Sequence, residues 1–388
     1  MTVLYIIDSV QGGASLSFVE MVSNLQRIGV TPIVCTREID DYSKSLEEKK
    51  IKVIAIGHTP VLAPVNLKRL SQYYFYFRFV MSYLYRRKKA LKTLEEKIDI
   101  KKIDIIHTNS ARSDIGCFLR KKYHIPHICH IREFADMDFG CKSMNPFYIS
   151  NLNNYTDSFI AISEAIRIHW IKKGINARKI SIIYNGINYS DITISNDSAK
   201  YNRVLKMVIV GGVVHTKGQH LVVEAISKLP SSVQNNLIVD IIGWGDSKYV
   251  EEIKRLTKEY GLDNNIQLLG ARRDVHEILG NYQIGLMCSF SEGFGRTTAE
   301  YMHACLGVIA SDSGANPELV TDHKEGLLFK SKDAKSLSDC ILTYYNDREL
   351  LVKCSKKGRE KALKNYTANS NAENIYKLYQ HVLEINNE

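Results

Sequence analysis

The sequence predicts an α/β fold made of two doubly wound domains, each built on a parallel sheet. Three observations lead there. The chain has 388 residues, too many for one ordinary core. Short apolar runs alternate with helical patterns from end to end, as in parallel strands joined by crossover helices. An aperiodic stretch rich in Ser, Asn and Asp then divides those runs into two sets of six. A hydrophobic content of 45% with 24% charged residues suits a globular chain. No stretch approaches the 18 or so uninterrupted apolar residues of a membrane span.

The first set opens at Val3–Ile7. No basic leader or cleavage site precedes it, so it reads as a strand rather than a signal peptide. A helix over Ser15–Ile28 follows, and then Pro32–Cys35, Val53–Ile56, Ile103–His107, His127–His130 and Phe159–Ile162 complete six strands. Asn185-Gly186 is a turn signal and Asp191 to Asn202 has no hydrophobic period, which puts the seam near 190–203. The second set comprises Met207–Val210, Ile238–Ile242, Ile266–Leu269, Ile284–Cys288, Val308–Ala310 and Leu327–Phe329. Helical patterns at Gln219–Leu229, Lys248–Tyr260 and Lys335–Tyr345 lie between them. The expected domains are therefore 1–190 and 191–370. A final helix in 371–388, with Ile375, Leu378, Tyr379 and Val382 at helical spacing, is free to pack in several places, including back on the first domain.

Eight cysteines with no Cys-x-x-Cys spacing read as small buried hydrophobes of a cytosolic chain. The net charge of +10 is concentrated: segment 64–102 carries eleven Lys or Arg against three acids. Tyr73, Tyr74, Phe75, Tyr76, Phe77, Phe79, Tyr83 and Tyr85 interleave with them. Basic residues among aromatics suit an interfacial helix on an anionic membrane surface, and equally a core helix with a solvated basic edge. No nucleic-acid module accompanies the charge, so no nucleic-acid partner is expected.

In open parallel sheets ligands bind beyond the carboxyl ends of the strands, and the turns there carry the chemistry. Ser291 to Glu300 joins the Ile284–Cys288 run to a helix through Gly293, Phe294 and Gly295. Such a turn offers backbone N–H groups to an anion. Glu292 and Glu300 at its two ends can take hydroxyls, and Arg296 can make charge-assisted contacts to phosphate or sugar oxygens. Thr297-Thr298-Ala299-Glu300 also fits a capping box, which would tie Glu300 to its own helix start. Gly12 and Gly13 follow the first strand, where glycines admit a phosphate or sugar close to backbone. Lys217, in Gly211 to Gly218, is expected at a helix N-terminus, where a cation is misplaced unless an anion joins it. His130 ends a strand, as a hydrogen-bonding or proton-shuttling group in a cleft or as a structural imidazole. Asp136-Met137-Asp138 resembles half of a cation site, but no third ligand is visible and no metal is expected. No Gly-x-Gly-x-x-Gly is present, which lowers a dinucleotide-dehydrogenase reading.

These motifs, with Gly243-Trp244-Gly245-Asp246, Leu268-Leu269-Gly270 and Ser313-Gly314-Ala315-Asn316-Pro317-Glu318, resemble in order and spacing the retaining GT-B glycosyltransferases of family 4. The bacterial capsular and exopolysaccharide enzymes are the most similar in type. The resemblance implies two Rossmann-like domains facing each other across a cleft, with a nucleotide-sugar held mainly by the second. It implies that Glu300 binds the ribose, and that Glu292 with the backbone of Gly293, Phe294, Gly295 and Arg296 holds the sugar and diphosphate. Thr297 belongs to the same donor-binding turn. Lys217 would neutralise the diphosphate, Gly12 and Gly13 would close over it, and His130 would touch the donor sugar. Arg272, in the loop after Ile266–Leu269, is a candidate for reading the base. The family carries an Arg where this chain has Gly212, and Arg296 is expected to make good that charge.

The expected reaction moves a hexose from a UDP- or GDP-sugar, a substrate rather than a cofactor, to a hydroxyl of a lipid-linked glycan. It would run at the cytoplasmic membrane face without a metal, because Lys217 and Arg296 stand in for the cation. Alternatives are a nucleotide-sugar 2-epimerase and a non-catalytic subunit of a transferase pair.

Overall fold

A computed structural model describes residues 1–8, 13–64, 70–135 and 140–387. They form two compact units: 1–186 together with 368–388, and 187–367.

The first unit holds a seven-stranded sheet in the order β3-β2-β1-β5-β6-β8-β9. Its strands are β1 (Thr2–Ile6), β2 (Thr31–Thr36), β3 (Lys52–Ala55), β5 (Ile105–Thr108), β6 (His127–Ile131), β8 (Ser158–Ala161) and β9 (Ile180–Ile182). Every pairing is parallel. Two further strands, β4 (Leu62–Pro64) and β7 (Cys141–Ser143), pair antiparallel apart from this sheet. The second unit holds a six-stranded parallel sheet in the order β12-β11-β10-β13-β14-β15. It comprises β10 (Leu205–Val210), β11 (Leu237–Ile242), β12 (Ile266–Gly270), β13 (Ile284–Met287), β14 (Gly307–Ser311) and β15 (Gly326–Phe329).

All twelve expected strands are present, because strands covered on both faces must be apolar along their whole length. β5 and β14 are buried at every residue. The three unforeseen strands have three residues each. β9 is an edge strand exposed at Ser181 and Ile182, and β4 ends on Pro64, as Pro is confined to edges.

In both sheets the strand order reverses beside the first strand, between β1 and β5 and between β10 and β13. Such switch points open a crevice beyond the strand ends. The turns after β10 and β13 are those that carry Lys217 and Glu292, so topology alone brings these two stretches together.

The helix Ala368–Asn387 belongs to the first unit. Ala372, Ile375, Tyr379 and Val382 enter one core with Val3, Tyr5, Phe18, Met21 and Leu25. Polar ties add to it: the Tyr379 hydroxyl is 3.2 Å from that of Tyr5 and 2.5 Å from His107 Nδ1. Asn371 Nδ2 donates to the Tyr184 carbonyl at 2.7 Å.

The helix Leu70–Lys97 fits neither sequence reading along its whole length. In its second half Ala90 and Leu94 pack into a core with Ile98, Ile103 and Leu119, leaving a solvated basic edge. In its first half Tyr83 is buried, whereas Tyr73, Tyr74, Phe75, Phe77 and Phe79 stand exposed. Residues 65–69 lie outside the described residues.

Candidate functional site

The second unit's switch point is shaped by close backbone approaches. Gly243 has φ +158°, and a Cβ there would lie 1.8 Å from the Gly211 carbonyl oxygen. The turns after β10 and β11 therefore nest, joined by Val213 N–H to the Trp244 carbonyl at 2.8 Å. Beyond them His215–Lys217 forms a 3-10 turn and Gly218, at φ +70°, starts the helix Gln219–Ser227. Lys217 thus precedes the helix instead of occupying its first turn.

A Cβ on Gly218 would meet the Cys288 carbonyl oxygen at 2.4 Å. The glycine is what lets this turn reach the end of β13, and Phe290 N–H donates to the Thr216 carbonyl at 2.9 Å alongside it. Gly218→Ala combines this clash with a left-handed backbone. It is expected to cost the second unit roughly 1–3 kcal/mol, read as a lowered urea midpoint. An unchanged midpoint would mean the two turns move apart freely.

The result of that contact is an ion pair between Lys217 Nζ and Glu292 Oε1. The Glu292 backbone is itself clamped from β14. Gly314 has φ +61°, and a Cβ there would lie 2.3 Å from the Glu292 carbonyl oxygen. Ala315 N–H donates to that oxygen at 2.9 Å. Ser313 Oγ donates to the Phe290 carbonyl at 2.6 Å, and Ser311 Oγ to that of Ser289 at 2.6 Å.

The helix Arg296–His303 starts on Gly295, which has φ +86° and makes no side-chain cap. The capping-box reading of Thr297 to Glu300 is therefore overturned: Thr297 already lies inside the helix. Instead Glu300 Oε1 accepts from Arg296 Nε at 2.9 Å and lies 3.3 Å from His276 Nε2. Burial alone would push the Glu300 carboxyl up. His276 and Arg296 outweigh it and hold the carboxyl below its ordinary range, so Glu300 is a buried anion at neutral pH. The helix is seated by Tyr301, whose hydroxyl accepts from Val210 N–H at 2.7 Å. A Cβ at Gly285 would strike the Tyr301 ring at 2.4 Å.

Two further second-unit residues have side chains already engaged. The Phe294 side chain is buried against Tyr366, ring centroids 5.7 Å apart, so it anchors the turn and leaves only its backbone to a ligand. Arg272 is half exposed and paired bidentately to Asp274, Nε to Oδ1 at 2.8 Å. A Cβ at Gly212 would meet nothing closer than the Trp244 carbonyl oxygen at 3.9 Å, so the departure from the family pattern is not imposed by packing.

In the first unit, Gly13 begins the helix Gly13–Arg27 and is exposed. Gly12 and the Asp136 and Asp138 pair lie outside the described residues. His130 is fully buried, not open to a cleft as one sequence reading had it. Its Nδ1 is 3.3 Å from Arg132 Nη2 and its ring centroid 5.4 Å from that of His107. Its Nε2 has no hydrogen-bond partner among the described residues. Burial, then the Arg132 charge, drives its pKa well below the ordinary imidazole value. His130 is thus neutral at physiological pH, part of a buried row in which His107 also bonds Tyr379. Neither Tyr379 nor His276 was singled out as a site residue from sequence: each lies far along the chain from its partner, outside any local motif.

The family described as "Glycosyl transferases group 1" matches residues 190–361, and that described as "Glycosyltransferase Family 4" matches residues 11–191. The chain belongs to these group 1, family-4-like glycosyltransferases. It is 25% identical over 314 residues to a UDP-Gal:α-D-GlcNAc-diphosphoundecaprenol α-1,3-galactosyltransferase of Escherichia coli, covering 75% of this chain and 79% of that one. It is 24% identical over 261 residues to a poly(ribitol-phosphate) α-N-acetylglucosaminyltransferase of Staphylococcus aureus, covering 67% of this chain and 50% of that one. The chain thus spans about half the length of several curated relatives it matches. The crystal structure of Anabaena HepE in complex with UDP superposes with a TM-score of 0.81 at 19% identity, covering 98% of this chain and all of that one. The fold is that of the GT-B glycosyltransferases. Among the described residues, no helix is long and apolar enough to cross a membrane.

Proposed function

We propose that the protein is a retaining, metal-independent hexosyltransferase that takes its sugar from a UDP- or GDP-linked donor. The acceptor is a hydroxyl of a lipid-linked glycan, in surface-polysaccharide assembly of the capsular or exopolysaccharide type, at the inner face of the membrane. One observation carries this reading. The second unit's switch point presents two cation–carboxylate pairs, Lys217 with Glu292 and Arg296 with Glu300. A simple anion would ask for the cations alone. A nucleotide-sugar offers phosphates to the cations and hydroxyls to the carboxylates, and so engages both members of each pair. The relatives support the class, since one is named for a UDP-galactose donor and a diphosphoundecaprenol-linked acceptor.

In this mechanism Glu300 binds the ribose hydroxyls and Glu292 those of the hexose. The Gly293–Arg296 backbone and Lys217 hold the diphosphate. As the bond to the anomeric carbon breaks, charge grows on the departing phosphate, and fixed cations with helix N–H groups stabilise it. The acceptor hydroxyl attacks from the leaving-group face and passes its proton to the departing phosphate oxygen. No protein nucleophile takes part. Arg272 is expected to serve base choice once its pair with Asp274 opens.

A thermal-shift screen against UDP-, GDP- and ADP-sugars tests the donor. A ligand at a hundred times its Kd stabilises the native state by about 2.7 kcal/mol, so the true donor should stand clear of the others. No shift with any of them would remove the donor site. Conversion of donor without acceptor would instead identify an epimerase.

A further inference from the structure

The first half of the helix Leu70–Lys97 exposes an unusual surface. Tyr73, Tyr74, Phe75, Phe77, Phe79, Met81, Leu84 and Tyr85 are each 41–69% exposed. At about 100° per residue they cover roughly two thirds of the circumference, opposite a packed stripe of Tyr76, Val80 and Tyr83. The outward face of this helix is therefore apolar where an amphipathic helix would be polar. This half is fastened along one side, where the Tyr76 hydroxyl donates to the Ser143 carbonyl at 2.8 Å and the buried Tyr83 hydroxyl donates to the Asp114 carboxylate. Beyond Tyr85 the exposed side chains change character to Arg86, Lys88, Lys89 and Lys92, the last of which pairs with the exposed Glu96 at 3.7 Å. The apolar surface continues off the helix. Phe147, 69% exposed, and Leu84 line a cavity of about 400 Å³ to which Arg87 and Lys121 add positive charge.

We infer that this surface docks the protein on an anionic phospholipid bilayer. The aromatic half of the helix and Phe147 enter the interface, while the basic half lies over the lipid phosphates. An exposed apolar patch of this extent marks an interaction site. Tyr and Phe beside Lys and Arg are the residues that favour the boundary between head groups and acyl chains. The charge argues for this occupant. Arg86, Lys88, Lys89 and Lys92 continue directly from the apolar patch, and an anionic leaflet attracts them while the aromatic half enters it. From Tyr73 to Tyr85 the helix runs about 18 Å, enough to reach well past the head groups. This deepens the reading of a lipid-linked acceptor and rests on it only for its purpose, since vesicle binding is measured without transfer.

The full-length protein should co-sediment with vesicles of mixed phosphatidylglycerol and phosphatidylcholine, and far less with phosphatidylcholine alone. Phe75→Ser/Phe77→Ser/Phe79→Ser, all at exposed positions, should keep the wild-type circular dichroism and lose binding at least tenfold. Lys88→Glu/Lys89→Glu should lose roughly tenfold or more at low salt, because each basic residue contributes about a fivefold factor. Phe77→Trp should gain fluorescence that brominated acyl chains quench. A wild-type protein that ignores anionic vesicles, or a triple variant that binds them equally well, would overturn the inference. So would a wild-type dimer that the triple variant dissociates with no lipid binding by either, which would make the second copy the occupant. Loss of transfer with intact vesicle binding would count against the enzyme reading alone.

Discussion

Lys217→Ala is expected to lower kcat for sugar transfer by about 10²–10³, or roughly 2.7–4 kcal/mol of transition-state stabilisation. Lys217 sits where the nested turns after β10 and β11 meet the end of β13, and its ammonium rests on Glu292. Its charge is therefore held in place before any ligand arrives, and no reorganisation is needed when the leaving phosphate develops charge. The fold should tolerate the change, because a partly exposed pair contributes at most about 1 kcal/mol. Steady-state kinetics beside a urea melt give the answer: turnover falls while the midpoint barely moves. Turnover within tenfold of wild type would show that the leaving-group charge is met elsewhere. Glu292→Gln supplies the contrast. It keeps the ammonium but removes the carboxylate charge and leaves a single, weaker acceptor oxygen for the hydroxyls, so its main effect should be on KM for the donor.

Acidification should destabilise the first unit steeply. His107, His127 and His130 are fully buried, and burial is the largest cause lowering the pKa of each. His127, bonded to Thr108 Oγ1 at 2.8 Å and facing the Tyr155 carbonyl, is brought down to about 4. Below the ordinary imidazole value of about 6.5 the unfolded chain takes up protons that the folded one refuses, so stability falls as pH drops. For His127 the loss runs from about pH 6.5 to its folded pKa and amounts to roughly 3 kcal/mol. His107 and His130 add to it in the same direction. Urea midpoints measured between about pH 7 and pH 4 should decline, and His127→Asn should flatten the curve. A midpoint flat across that range would mean these imidazoles reach water in the native state.

The sequence carried the sheets and the local half of the site. Buried parallel strands are apolar throughout, so Met207–Val210 or Val308–Ala310 could be read in isolation. Glu292, Arg296 and Lys217 were legible because each stands beside glycines at a strand-to-helix turn. The helix start was misjudged because Gly295, in a left-handed conformation, begins the helix before Thr297 can cap it. His276 and Gly314 were beyond local reading. His276 lies in a four-residue helix, Val275–Ile278, and meets Glu300 only in three dimensions. Gly314 matters because the Glu292 backbone passes within a side chain's width of it. The basic-aromatic helix left two readings open, since periodicity cannot say that aromatic side chains cover most of the exposed surface of one half.

The return of residues 368–387 to the first core also sets an order of assembly. Tyr379 touches both Tyr5 and His107, and Ile375 and Val382 share a core with Val3 and Phe18. During synthesis the chain's opening residues must wait for this helix, while the intervening unit, 187–367, has every strand it needs as soon as it emerges. Domains usually complete themselves in the order in which the ribosome delivers them. Here the second-made unit closes first, and the first-made sheet stays unsealed on one face until the last helix is released.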